Sequence, residues 1–296
     1  MRILVTGAKG QLGLAIKSLS GNYNHQFVFT DVDELDIANR LVVDEYFSKL
    51  KPDIVINCAG YTNVEKAESE QELAYNINCK AVKNLSDISE NYNVKLIHIS
   101  TDFIFDGNRN VPYTEDDLPC PVNIYGSSKY EGEKKLINSK AVGIILRTSW
   151  LFSEYGHNFV KTIYNLAQEK TEIKVVNDQF GSPTYAKDLA NMIMKVIESD
   201  KWKNGCEVYH FCNQGVVSWY DLALEIVRQG DYDCKIIPVM TEEYGSGVIR
   251  PKYSVLDTSK IRKEYGIEIK SWKEALIECI QKINISTTES TEDTER

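Results

Sequence analysis

Positive charge is scarce in this chain of 296 residues: 34 lysines and arginines stand against 43 aspartates and glutamates, a formal net charge of −9. A general nucleic-acid binder needs a basic face to displace counterions, so that class is excluded, while a local basic pocket for a phosphorylated small molecule stays open. Long apolar runs are also missing. None approaches the ~20 residues that span a bilayer, and the strand-like RILVT begins at Arg2, leaving no room for a signal peptide. The seven cysteines, Cys58, Cys79, Cys120, Cys206, Cys212, Cys234 and Cys279, are odd in number and include no CxxC pair. That pattern speaks against a disulfide framework or a zinc ribbon and for free thiols. Histidine is sparse too. His98 and His210 lie in strand-like stretches without a Cys, His or carboxylate at ligand spacing, so core or edge roles are expected and no metal site. A cytoplasmic protein, monomeric or homodimeric, with no membrane or nucleic-acid partner is the expectation.

What the chain does have is alternation. RILVT, QFVFTD, DIVINCA, VKLIHIS and VGIILRTS are short apolar runs separated by the helical patterns QLGLAIKSLS, LVVDEYFSKL, a long stretch over about 68–92, and 125–138. Near-continuous apolar strands between helices predict a parallel sheet covered on both faces, the doubly wound α/β arrangement, which binds ligands beyond the carboxyl ends of its strands. Residues 1–150 form the expected dinucleotide-binding domain, with returning strands near 172–177 and 207–212. Residues 151–285 are expected to build mainly a smaller substrate-binding lobe, and 286–296, nearly free of apolar residues, a disordered tail. Met192 and Met194 read as packing residues.

Gly7, Gly10 and Gly13, with Gln11 and Leu12 between them, follow the first strand and open a helix. The first glycine permits a tight turn, the second lets a pyrophosphate approach the helix N-terminus, and the third allows close helix–strand packing. Asp31 ends the second strand, 18 residues after Gly13. A carboxylate there accepts hydrogen bonds from an adenosine ribose and repels a 2′-phosphate, favouring NADH, with Arg40 close enough in sequence to keep NADPH open. Cys58, Ala59 and Gly60 end the third strand and would let a dinucleotide lie against the sheet edge.

Thr101 ends the fourth strand, and Tyr125 and Lys129 follow in NIYGSSKYEGEKKL. A spacing of four puts phenol and amine on one helix face. An ammonium beside a tyrosine stabilises its phenolate, so a proton becomes available near neutrality. With Thr101 polarising a carbonyl, these three form a candidate acid catalyst for hydride transfer.

The motifs VTGAKGQLG, DIVINCAGYTNVEKAE, HISTDFIFDG, YGSSKYEGE, LRTSWLF, NFVKTI, NDQFGSPT and RPKYSVLD together resemble the extended short-chain dehydrogenase/reductases that act on nucleotide sugars, and within them the dTDP-4-dehydrorhamnose reductase branch. The likeness spans residues 1 to about 283 and implies a Rossmann fold and reduction of the C4 ketone of dTDP-4-dehydro-β-L-rhamnose to dTDP-L-rhamnose. It implies that Thr101, Tyr125 and Lys129 are catalytic and that Thr62, Val64, Asp102 and Trp150 lie near the sugar. Asn158, Gln179 and Arg250 match positions around the substrate nucleotide. Some members of this group dimerise through Mg²⁺ held partly by an acid on the first helix; Ala15 stands at the matching position and cannot ligate, which puts that metal in doubt. Related 4,6-dehydratases have a glutamate where Phe103 stands, so dehydration is not expected. The alternatives are action on another nucleotide-linked 4-ketosugar, by reduction or epimerisation, and a non-catalytic nucleotide-binding regulatory role.

Overall fold

The five strand-like stretches of the first half lie side by side. The computed structural model describes residues 1–245 and 247–292, with side chains as far as Ile285. Its strands are β1 (Arg2–Thr6), β2 (Gln26–Thr30), β3 (Ile54–Asn57), β4 (Lys95–Thr101), β5 (Gly143–Thr148), β6 (Leu151–Phe152), β7 (Glu172–Val176), β8 (Phe180–Gly181), β9 (Thr184–Tyr185), β10 (Cys206–His210), β11 (Val217–Ser218) and β12 (Lys235–Val239). Six of them form a sheet in the order β10-β5-β4-β3-β1-β2, every pairing parallel. The order reverses at β1 and β3, and a crevice opens beyond the carboxyl ends of such a pair.

Alternate residues of these strands feed two cores. Ile3, Val5, Ile56, Ile97 and Leu146 pack under the helices Gln11–Leu19 and Ala186–Ser199, the latter bringing Met192 and Met194. Leu4, Val55, Leu96 and Ile145 pack on the other face under Arg40–Leu50, Ala81–Tyr92 and Ile124–Ile137. Burying both faces explains the continuous apolar runs, each fully buried Leu or Ile contributing about 1.5–3 kcal/mol. A third core joins the helices Phe159–Glu169, Trp219–Gly230 and Trp272–Glu292 into the smaller lobe. The lobe is interleaved with the sheet domain, because Ala186–Ser199 and β10 belong to the sheet although they lie beyond residue 150. The end of the last helix falls within the tail expected over 286–296, whose final residues lie outside the described ones.

One expectation needs correction. The strand near 172–177 does not return to the main sheet; β7 pairs only with β12, in a two-stranded parallel ribbon of the lobe. Its exposed Glu172 and Lys174 leave it one buried face, and Pro238 on β12 cannot donate to a further neighbour, so both suit a small outer sheet rather than a doubly covered one. The helical stretch expected over about 68–92 runs from Gln71 to Tyr92 with a π-helical turn, Asn76–Lys80, inside it, and the short helix Val64–Ala67 precedes it. The widened turn sends Asn78 inward, where it bonds both backbone groups of Tyr61 (2.9 Å each) and donates to Ser128 at 3.0 Å.

Candidate active site

A cleft of about 950 Å³, at the upper end of the range for small-molecule sites, runs from the β1 loop across the strand ends to the lobe. At one end, Gly7 takes a φ of +65°, and a Cβ there would sit 2.5 Å from the Ala59 amide nitrogen, so only glycine fits. The helix Gln11–Leu19 begins at Gly10 without a side-chain cap. Its first amides remain available to an anion, with the helix dipole behind them. Gln11, Leu12, Gly13, Asp31, Cys58, Ala59 and Gly60 all line this end. Asp31 also holds the loop: its carboxylate accepts from the Lys9 amide at 2.8 Å and the Val32 amide at 2.9 Å. Lys9 lies beside it with its ammonium on Asp33 at 2.6 Å. Arg40 is tied to Asp87 at 2.6 Å and does not line the cleft. Burial pushes the Cys58 thiol up to about 12, so it is packing rather than nucleophile.

The helix Ile124–Ile137 forms the central wall. Asn123 caps it by accepting from the Gly126 amide at 2.8 Å, and its amide group donates to the Ile249 carbonyl at 2.9 Å. Gly126 lets the helix lie against the chain at Phe103: a Cβ there would sit 2.1 Å from the Phe103 carbonyl oxygen. Tyr125, Lys129 and Glu133 recur every fourth residue. Tyr125 and Lys129 line the cleft with Thr101, and Glu133 is fully buried against Arg147 of β5.

Burial shifts both Tyr125 and Lys129. Lys129 is 5% exposed and donates to the Ile99 carbonyl at 2.6 Å. Burial lowers it to about 8, opposed by the charge of Glu133. Tyr125 is pushed up to about 12, chiefly by burial; the Thr101 hydroxyl eases the shift and Asp102 adds to it. The Lys129 ammonium is held at the sheet edge beside Gly60, and the Thr101 hydroxyl favours the tyrosinate. Phe103 packs edge-on to the Tyr125 ring at 5.5 Å, so the position that holds a carboxylate in dehydratases is an apolar wall here.

Thr62, Val64, Asp102, Trp150, Asn158 and Arg250 line the remaining cleft, but Gln179 does not. Gln179 is buried behind it, accepting from the Trp219 indole at 3.3 Å and donating to Thr241 at 3.0 Å. Its carboxamide links Trp219 to Thr241. Trp150, at a φ of +48°, stacks on Trp219 with centroids 3.5 Å apart and planes 6° off parallel. One face of the Trp150 indole is thus already taken. Asn158 caps the helix Phe159–Glu169 and donates to Gln11 at 3.0 Å, joining lobe to glycine loop. Arg250 donates to Glu65 at 3.2 Å across the mouth. Ala15 is buried in the sheet core, and no cluster of metal-ligating side chains occurs among the described residues. Among those residues, no helix is long and apolar enough to cross a membrane.

The family described as RmlD substrate binding domain matches residues 1–285. The chain belongs to that family. A dTDP-4-dehydrorhamnose reductase of Aggregatibacter actinomycetemcomitans is 39% identical to it over 286 residues, covering 93% of this chain and 97% of the relative. The solved dTDP-4-dehydrorhamnose reductase of Clostridium acetobutylicum is 41% identical with a TM-score of 0.92, covering 96% and 100%. That of Bacillus anthracis, solved in complex with NADP, is 40% identical with a TM-score of 0.89, covering 95% and 99%.

In this RmlD-family chain, sequence reasoning missed Trp219, Lys9 and Glu65. Trp219 opens an amphipathic helix after the Ser218 cap and reads there as an ordinary core residue. Lys9 and Glu65 are charged residues on loops and short helices, with no signal beyond their place next to Gly10 and Val64.

Proposed function

We propose that this chain reduces the C4 ketone of dTDP-4-dehydro-β-L-rhamnose to dTDP-L-rhamnose. The observation that carries the reading is the convergence of Thr101, Tyr125 and Lys129 on one cleft with the glycine loop at its other end. A regulatory nucleotide-binding subunit has no use for a threonine and a tyrosine facing one cleft with a buried lysine. A reduced nicotinamide dinucleotide, when bound, supplies the hydride. The chain has the fittings for one: a positive-φ glycine against Ala59, uncapped amides at Gly10, and the Asp31 carboxylate on the same wall.

Thr101 and Tyr125 line the wall where the ketone oxygen binds, and Tyr125 donates its proton to that oxygen as negative charge develops there. Lys129, fixed on Ile99, presents a positive charge near Gly60 at the dinucleotide's edge. Arg250 suits the diphosphate of the sugar nucleotide because its planar fork pairs with phosphate oxygens, Glu65 being the partner it would leave. NADH is favoured over NADPH. Asp31 repels a 2′-phosphate, and both nearby cations are occupied, Lys9 by Asp33 and Arg40 by Asp87. NADPH remains usable if Lys9 leaves Asp33.

One assay tests substrate and coenzyme together. The protein is mixed with dTDP-4-dehydro-6-deoxyglucose, a 3,5-epimerase and NADH or NADPH. Oxidation of the coenzyme with formation of dTDP-L-rhamnose, faster with NADH at low concentration, is expected. Coenzyme oxidation yielding a different sugar would move the activity to another 4-ketosugar, and none at all would overturn the reading.

A further inference from the structure

Thr101 has one hydroxyl proton and three neighbours. Its hydroxyl accepts from the Phe103 amide at 3.2 Å and donates to Asp102 Oδ1 at 3.1 Å, and the Tyr125 hydroxyl hydrogen-bonds to it on the cleft side. A hydroxyl has one donor and two acceptor positions, so the protonation of Asp102 decides where the Thr101 proton goes. An ionised Asp102 claims it. Tyr125, having given its own proton to the ketone oxygen, is then a phenolate with no donor from Thr101 and a second negative charge nearby. A neutral Asp102 donates to Thr101 instead, and the Thr101 proton is free for Tyr125.

The surroundings favour the neutral acid. Asp102 is 2% exposed, and its Oδ2 is buried without a hydrogen-bond partner among the described residues. The groups that face it are the Tyr125 phenol from the helix Ile124–Ile137, the Cys212 thiol after β10, and the Ser254 hydroxyl from the segment before Leu256. Lys129 and Arg250 share the cleft, but their charges go to the Ile99 carbonyl and Glu65. A buried carboxylate with an unpaired oxygen and no cation is strongly disfavoured over the acid. Burial pushes this carboxyl up to about 7, against the pull of the Ser254 and Thr101 hydroxyls and of the Asp102 and Phe103 amides.

We propose that Asp102 works as a neutral carboxylic acid that turns the Thr101 hydroxyl toward Tyr125, making it a positioning residue for proton delivery. The inference rests on the reductase reading. No proton leaves Asp102 in the step: the ketone oxygen receives the Tyr125 proton, and the phenolate gains the Thr101 hydrogen bond.

The test is the pH dependence of kcat in wild type and Asp102→Asn, together with infrared difference spectra of both. The amide of the variant still donates to Thr101 but does not titrate. Wild-type kcat should fall about tenfold between roughly pH 6 and 8, as for a single ionisation near the middle of that range, while the variant changes less than about twofold. The wild type should show a protonated-carboxyl band that the variant lacks and that disappears over the same interval. The same falling limb in the variant, or an Asp102 ionised throughout, overturns the proposal. Because the infrared titration needs no turnover, it decides the state of Asp102 even if the ketosugar is not reduced, and that second failure counts only against the reductase reading.

Discussion

Glu133 and Arg147 offer the sharpest energetic test of how the catalytic helix is held. Arg147 Nε lies 3.0 and 3.2 Å from the two Glu133 carboxylate oxygens, and a terminal nitrogen lies 2.7 Å from the second. The two side chains are 4% and 0% exposed. His210 does not compete, since burial and the Arg147 charge push its imidazole down to about 3 and keep it neutral. Glu133→Gln leaves the guanidinium buried with no counter-charge, which costs about 3–5 kcal/mol. With a urea m-value of about 2–3 kcal/mol per M, the unfolding midpoint should fall by about 1–2 M at unchanged slope. Replacing both partners, Glu133→Leu with Arg147→Met, removes the stranded charge and should lose much less than the sum of the single changes. Tryptophan fluorescence in urea reads all four proteins of the cycle. A loss below ~1 kcal/mol in Glu133→Gln, or strict additivity in the double variant, would refute the claim that this pair anchors the helix bearing Tyr125 and Lys129.

Gly7→Ala puts a Cβ 2.5 Å from the Ala59 nitrogen in a left-handed backbone; fluorescence titration should show coenzyme affinity reduced at least ~10-fold, and unaltered affinity would remove the turn from the binding site. Lys129 sits near 8 in the folded chain against 10.5 ordinarily, so between those values the unfolded chain binds more protons and this residue's contribution to stability rises with pH. Lys129→Met should therefore be more stable than wild type by a margin that is largest near pH 7 and shrinks by about pH 10; a constant margin in urea midpoints contradicts the buried ammonium. Trp219→Ala removes the ring that supports Trp150 and should raise KM for the nucleotide sugar about 10-fold with a smaller change in kcat, whereas an unchanged KM would detach Trp150 from the substrate.

The sheet was legible because its strands are buried on both faces, so Ile54–Asn57 and Gly143–Thr148 read as unbroken apolar runs between helices. The glycine loop was legible because its strand–turn–helix context is local. The lobe was not. β7 and EIKVVND look like any half-apolar strand, and only its partner Lys235–Val239, far along the chain, decides that it leaves the main sheet. The π-helical turn at Asn76–Lys80 escaped for the same reason, since the partners that draw Asn78 inward are Tyr61 and Ser128. At the site, spacing put Tyr125 and Lys129 on one face but could not say where each head group ends. The amine reaches the Ile99 carbonyl, and the Thr101 hydroxyl eases the upward shift of the tyrosine. Gln179 was placed in the right region but one layer too near the cleft.

The central claim is that Tyr125 hands a proton to a ketone oxygen, and Tyr125→Phe tests it most directly. The variant keeps the ring against Phe103 and removes only the hydroxyl. Single-turnover reduction of the 4-ketosugar should slow at least ~10²-fold, the scale of a lost general acid, with coenzyme affinity within about twofold of wild type. Reduction at near the wild-type rate would contradict the account.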